Sequence, residues 1–226
     1  MANEHYTPTE RRPIAARRWP IWQRAAVSLA RQGVSPNAIS LAGMACGVAA
    51  GGALAATAAW PRWAPLFWLA AAVLIQLRLL ANLLDGMVAI ESGRASPVGE
   101  LYNEVPDRVS DTATIVGAGC AAGGDVLLGC LAALAAMFTA YVRTTGKAAG
   151  ARHEYCGPMA KQQRMALLTG TAVAAALLPA AWQPVWGMAG SRGLVAAVLL
   201  VITAGSLLTA VRRLVRIAAT LRGSGR

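Results

Sequence analysis

An all-α integral membrane fold is what this sequence predicts: six transmembrane helices preceded by an amphipathic surface helix, with both termini cytoplasmic. Three observations lead there. Of 226 residues, 56% are hydrophobic and only 14% charged, at a mean hydropathy of +0.48, whereas a soluble domain carries about a quarter charged residues. Apolar runs long enough to cross a bilayer recur along the chain. The basic residues, which give a net charge of +11, gather in alternate connections rather than in one patch. That alternation argues against nucleic-acid binding and for the positive-inside rule.

The elements follow in order. Residues 1–34 form a cytoplasmic segment in which Arg11, Arg12, Arg17, Arg18, Arg24 and Arg31 mix with Ile14, Trp19, Ile21, Trp22, Val27 and Leu29. Such a mixture suits a helix lying on an anionic leaflet. The membrane domain, 35–218, holds apolar runs at 36–59, 66–90, 101–122, 126–148, 165–182 and 193–217. The third is the weakest by hydropathy, because its first half carries Glu104, Asp107, Arg108 and Asp111. With the amino terminus inside, the outer loops hold only Arg62 and Arg192 of the 21 basic residues. Arg78 and Arg108 lie within helices, and the rest fall on the cytoplasmic side. Trp60, Trp63, Trp182 and Trp186 flank outer loops, at the headgroup level that tryptophan prefers. A basic tail, 219–226, ends the chain. The predicted location is the inner, cytoplasmic membrane, spanned several times. Cys46, Cys120, Cys130 and Cys156 form no CxxC pair and read as reduced, packed thiols.

The chemistry is read from the acids. Six of the ten acidic residues, Asp85, Glu91, Glu100, Glu104, Asp107 and Asp111, fall between positions 85 and 111. An ionised carboxylate near a bilayer centre costs about 2.5–3.5 kcal/mol on insertion scales, so these groups must face water, cations or partners. On the second span Asn82, Asp85 and Ala89 share a face. On the third, Glu100, Asn103, Asp107 and Asp111 form one stripe. The short loop between the two spans makes them antiparallel neighbours, so the stripes can meet in a carboxylate and carboxamide pocket. Oxygen ligands of this kind suit Mg²⁺ or Mn²⁺, which commonly hold phosphates. Gly86, Ala89, Gly93 and Gly99 around the acids either admit a bulky ligand or pack helices.

The stretch from Asn82 through Asp85, Gly86, Ala89 and Ile90, then eight residues, then Gly99, Asn103 and Asp107, resembles the signature of the CDP-alcohol phosphotransferases, D-x2-D-G-x2-A-R-x8-G-x3-D-x3-D. Asp85, Gly86, Ala89, Gly99 and Asp107 match it with unbroken spacing. Ser35-Pro36-Asn37 resembles the opening of the family's first span. The resemblance implies six spans, a preceding amphipathic helix and a site at the cytoplasmic ends of the second and third spans. It implies transfer of a phospho-alcohol (phosphatidyl) group from a CDP-linked donor such as CDP-diacylglycerol to a hydroxyl acceptor, with release of CMP, in phospholipid biosynthesis. It further implies one or two Mg²⁺ or Mn²⁺ ions at positions 82, 85, 103 and 107. Asn37, Asp85, Gly86, Ala89 and Gly99 become nucleotide-binding, Asp107 a metal ligand and general base, and the protein a homodimer among membrane lipids.

Three positions depart from the signature: Asn82, Asn103 and Ile90 stand for two aspartates and an arginine. An amide oxygen still ligates a hard cation, but two adjacent cations repel strongly with only Asp85 and Asp107 to offset them. Glu104, Glu100 and Asp111 are candidates to supply the difference. Asp111 and Arg108 read either as support for the site or as an intrahelical pair. Arg78 reads as a phosphate contact or as the neutraliser of Asp85. Arg152, His153, Lys161 and Arg164 lie on a cytoplasmic loop, where Lys161 and Arg164 are chosen to hold an acceptor or lipid phosphate at headgroup depth. Alternative readings are a non-catalytic relative that binds nucleotide or lipid as a partner subunit, and a small cation transporter.

Overall fold

The computed structural model describes residues 15–151, 154–179, 185–187 and 192–223, and is helical without strands among them. A one-turn 3₁₀ segment, Ala15–Arg18, leads into α1 (Pro20–Arg31), and then come α2 (Pro36–Ala59), α3 (Ala64–Glu91), α4 (Pro97–Gly119), α5 (Val126–Ala148), α6 (Lys161–Leu177) and α7 (Leu194–Gly223). Proline opens α1, α2 and α4 at the first turn, where its missing N–H is not needed. Gly33, at φ +74°, closes α1, its N–H reaching the Ala30 carbonyl at 3.0 Å. Side chains cap two later helices: Ser96 accepts from the Gly99 N–H at 3.0 Å, and Asp125 from the Leu128 N–H at 2.9 Å.

The amphipathic pattern of 11–31 becomes α1, which packs on α3 through buried Ala26 and leaves Trp19 and Ile21 exposed. Arg11, Arg12 and Ile14 lie outside the described residues. Among the described residues, four helices are long and apolar enough to cross a membrane: Pro36–Ala59, Pro61–Glu91, Val126–Ala148 and Leu194–Gly223. The other two predicted spans are also helical, but α4 carries the acids and α6 has 17 residues; the end of the fifth run, with Trp182, lies outside the described residues. Leu66, Val73, Leu127, Leu134, Val201 and Val211 stand exposed on the long helices. An outward apolar surface of this extent fits contact with lipid.

Helix α2 is the keel. It packs along both α3 and α4, whereas α3 and α4 approach each other over a short stretch. The expectation of α3 and α4 as neighbours is thus met by long polar side chains bridging past α2 rather than by helix-on-helix packing. Close approach is set by glycines four residues apart, the small-xxx-small spacing that lets membrane helices meet backbone to backbone. A Cβ on Gly43 would lie 2.9 Å from that of Ala81. A Cβ on Gly47 would collide with Ser110, and one on Gly51 with the Ala113 carbonyl, while Gly117 abuts the Gly51 backbone. The contact at Gly43 seats α3 against α2, and those at Gly47, Gly51 and Gly117 draw α4 inward, carrying its polar stripe with it. Ala50, Leu54, Ile75, Ile115, Leu199 and Ile202 fill the core beside them. Ala132, Ala133, Ala135 and Ala136 are buried within the chain, because α5 turns its small side to α4 and α7.

This packing gives a paired test. Gly51→Ala should destabilise the protein by about 1–3 kcal/mol, the usual effect of overpacking. Gly52→Ala, where a Cβ meets open space, should be neutral or stabilising by up to about 1 kcal/mol. Thermal unfolding of the two variants in detergent reads the difference.

Candidate active site

The site grows from three helices. Asn37 and Ser40, three residues apart on α2, face the start of the polar stripe of α3. The Ser40 hydroxyl donates to Asp85 Oδ2 at 2.6 Å, anchoring the carboxylate, which is 3% exposed. Asn37, Ser40, Asp85, Gly86, Ala89, Gly99, Glu100 and Asn103 line one cleft, with Arg94 and Ser96 at its rim. All five residues that the signature assigns to the nucleotide therefore border one space. The guanidinium of Arg17 lies 4.0 Å from where a Cβ on Gly86 would stand. Partial burial pulls the Arg17 pKa down, while the Asp85 charge opposes that shift.

A deeper chamber adjoins this cleft, sharing Ser40, Asp85 and Asn103 with it and adding Arg78, Asn82, Pro106 and Asp107. The two asparagines meet: Asn82 Nδ2 donates to Asn103 Oδ1 at 2.9 Å. Asp107 is gripped from two sides. Lys161 Nζ bonds its Oδ2 and also Asn82 Oδ1, and Arg78 Nη2 reaches Oδ1 at 3.2 Å. Arg78 further pairs with Asp111 and donates through Nε to the Ser110 hydroxyl at 2.9 Å. Asp111 takes Arg164 Nη2 at 3.4 Å and Arg108 Nη1 at 3.9 Å. Three helices, α3, α4 and α6, are thereby stitched by alternating charges.

These positions settle several open alternatives. Arg78 neutralises Asp107 and Asp111 rather than Asp85. Asp111 is both intrahelical partner of Arg108 and the centre of the buried network. Lys161 and Arg164 turn toward the acids of α4: Arg164 is 1% exposed, with Nη1 donating to the Met159 carbonyl at 2.8 Å. Glu104 stays outside both chambers, paired with Arg143 at 2.6 Å and Arg108 at 3.4 Å. Arg152 and His153 lie outside the described residues. Sequence reading overlooked Ser40, although its spacing from Asn37 marked a shared face. It also left Arg17 as a surface charge, since nothing local shows that the 3₁₀ turn folds back over Gly86.

No family-wide sequence model matches the chain. A phosphatidylinositol phosphate synthase of Streptomyces avermitilis is 30% identical over 200 residues, covering 85% of this chain and 75% of that protein. The chain belongs to the CDP-alcohol phosphotransferase family. An archaetidylinositol phosphate synthase of Aeropyrum pernix is 42% identical over a shorter stretch of 59 residues, 26% of this chain and 30% of that one. Among solved structures, the Mycobacterium tuberculosis phosphatidylinositol phosphate synthase with CDP-DAG bound shares the fold, with a TM-score of 0.66 at 23% identity over 88% of this chain and 94% of that one. The same enzyme in complex with manganese and citrate matches with a TM-score of 0.66 at 22% identity over 87% and 88% of the two chains.

The two-cation centre that the family signature implies does not fit the donors of this phosphotransferase. Two of its four positions are neutral amides bonded to each other, and both oxygens of Asp107 already hold cationic side chains. Among the described residues, no group of three or more His, Cys, Asp or Glu is placed to hold a metal ion. What the chamber does offer is an anchored carboxylate, Asp85, a guanidinium, Arg78, and two carboxamides, with the Lys161 ammonium bonded to Asn82 and Asp107.

The network makes a stability prediction. Asp111→Asn leaves Arg78 and Arg164 short of their shared counter-charge at sites almost fully buried, which should destabilise the protein by about 3–5 kcal/mol. Glu104→Gln, at a carboxylate whose side chain is 41% exposed, should alter stability by about 1 kcal/mol or less. Thermal unfolding in detergent checks both.

Proposed function

We propose that this chain transfers a phosphatidyl group from CDP-diacylglycerol to a hydroxyl of a phosphorylated polyol, of the inositol phosphate class, and releases CMP. The single observation carrying the proposal is the cleft in which Asn37, Asp85, Gly86, Ala89 and Gly99, contributed by three helices, open onto the Asp107–Lys161 pair. Family membership and the names of the two relatives support the donor and the acceptor class.

The membrane arrangement goes with the chemistry. We place α2 to α7 as six spans of the inner membrane, α1 on its surface, and both termini in the cytoplasm, with 35–218 as the membrane domain between the segment 1–34 and the tail 219–226. The charge asymmetry of the loops supports that orientation. The acids of α4 can enter the bilayer because α2, α3, α5 and α7 pack around that helix and their own cationic partners, Lys161 and Arg164 of α6 among them, pair with them. A donor whose acyl chains stay in the bilayer can then present its diphosphate sideways to the cleft.

In this arrangement Gly86 and Gly99 leave room for the nucleotide, and Arg17 and Arg94 stand at the rim where a cytidine phosphate would pass. Lys161 and Arg78 pair with the two oxygens of Asp107. When the donor's phosphates draw Lys161 toward themselves, Asp107 Oδ2 is released to take the proton from the attacking hydroxyl. The hydroxyl oxygen bonds to the lipid-bearing phosphorus, the bond to the CMP oxygen breaks, and Lys161 meets the charge that develops on the leaving phosphate. A partner subunit that only binds nucleotide would use the same cleft without this proton transfer.

The test is CMP release by the purified full chain in mixed micelles with CDP-diacylglycerol, across inositol phosphate, glycerol phosphate, inositol and serine. Acceptor-dependent CMP release with inositol phosphate is expected, and Asp107→Asn should slow it by about 10²–10⁴-fold, the range for removing a general base. No CMP release with any acceptor would refute catalysis and leave the binding role.

A further inference from the structure

The family resemblance puts a divalent cation among the side chains of residues 82, 85, 103 and 107, yet this chain puts an ammonium between two of them. Lys161 Nζ bonds Asn82 and Asp107 at once. It is held there as the first residue of α6, with its side chain 13% exposed. A second cation, Arg78, reaches the other oxygen of Asp107 at 3.2 Å. The formal charges agree with the geometry: Asp85, Asp107 and Asp111 are faced by Arg78, Lys161, Arg164 and Arg108, so the cluster has no surplus negative charge before any ion enters. A doubly charged metal at that point would sit beside an ammonium and a guanidinium, with no surplus of carboxylate to hold it.

A separate observation points the same way. Arg78 is 1% exposed, lines the deeper chamber, and its Nη1 has no hydrogen-bond partner among the described residues. A buried guanidinium with an unused donor calls for an oxygen anion, and phosphate oxygens match its geometry. A chamber built to receive a metal would instead present unused acceptors.

We propose that Lys161, with Arg78, supplies in this chain the positive charge that the signature assigns to a divalent cation between residues 82 and 107. The loss of aspartate at 82 and 103 and the inward lysine are then one change: two negative charges are gone because the ion they would hold has been replaced by a side chain. The diphosphate is met at this point by the lysine and the arginine. The inference rests on the proposed site but not on which group is transferred there.

The experiment titrates the full chain in detergent with Mn²⁺ alone and reads bound ions and spin coupling by electron paramagnetic resonance. The wild-type protein is expected to bind at most one Mn²⁺, with no coupled pair. Lys161→Met should tighten Mn²⁺ binding by tenfold or more, and combining it with Asn82→Asp and Asn103→Asp should produce two coupled ions. Lys161→Arg, which keeps the charge, should bind Mn²⁺ as the wild type does. A coupled pair in the wild type, or unchanged Mn²⁺ affinity in a folded Lys161→Met, would overturn the proposal. The wild-type titration decides even where a variant fails to fold. CMP release is measured separately: an active enzyme with a coupled Mn²⁺ pair refutes this inference alone, and an inactive one with the expected titration refutes the catalytic reading alone.

Discussion

The contact on which the rest of this molecule depends is the double grip on Asp107, with Arg78 of α3 on one oxygen and Lys161 of α6 on the other. Charges this far from water are tolerated only when paired and hydrogen-bonded. The same pairing that makes the acids of α4 compatible with a bundle of apolar helices also fixes how α3, α4 and α6 stand around the cleft. Stability and function thus draw on one network. Asp111 extends it toward Arg164 at 3.4 Å, and Ser110 links it back to Arg78 at 2.9 Å.

Polar clusters inside apolar helices need a scaffold that leaves little slack, and α2 provides it. Gly43, Gly47 and Gly51 remove the side chains that would hold α3 and α4 apart, so backbone approach rather than side-chain interlock sets the depth of the polar stripe. Ser40, one turn before Gly43 on the same helix, is thereby brought to Asp85. The small residues of the sequence therefore divide into two kinds. Those on α2 and Gly117 pack helices, while Gly86, Ala89 and Gly99 border the cleft.

Much of this was legible in the sequence. The all-helical fold, a helix before the first long apolar run and the meeting of the two polar stripes follow from periodicity, from charge placement and from the spacing between Asp85 and Asp107. The burial of the α5 alanines against α4 and α7 was not legible, because composition does not say which side of a helix its neighbours cover. Lys161 and Arg164 were read as contacts for an acceptor or lipid phosphate, and their pairing with Asp107 and Asp111 was hidden for a similar reason. Position at a helix start places a long cationic side chain near the membrane surface, but only the locations of Asp107 and Asp111 across the bundle show that it turns inward. Arg17 and Ser40 were missed because each reaches the site across a long sequence separation that no local pattern records.

The departures from the family signature become intelligible together. Asn82 and Asn103 are bonded to each other at 2.9 Å, and their neutrality goes with a cluster whose acids are already matched by bases. The most direct measurement is a structure of the full chain in a lipid environment with CDP-diacylglycerol bound. The diphosphate is expected beside Lys161 and Arg78, with the cytidine end in the cleft at Asn37, Gly86 and Gly99. A donor bound elsewhere on the chain, with Lys161 and Asp107 still paired and untouched by phosphate, would contradict the assignment of this cleft as the reaction centre.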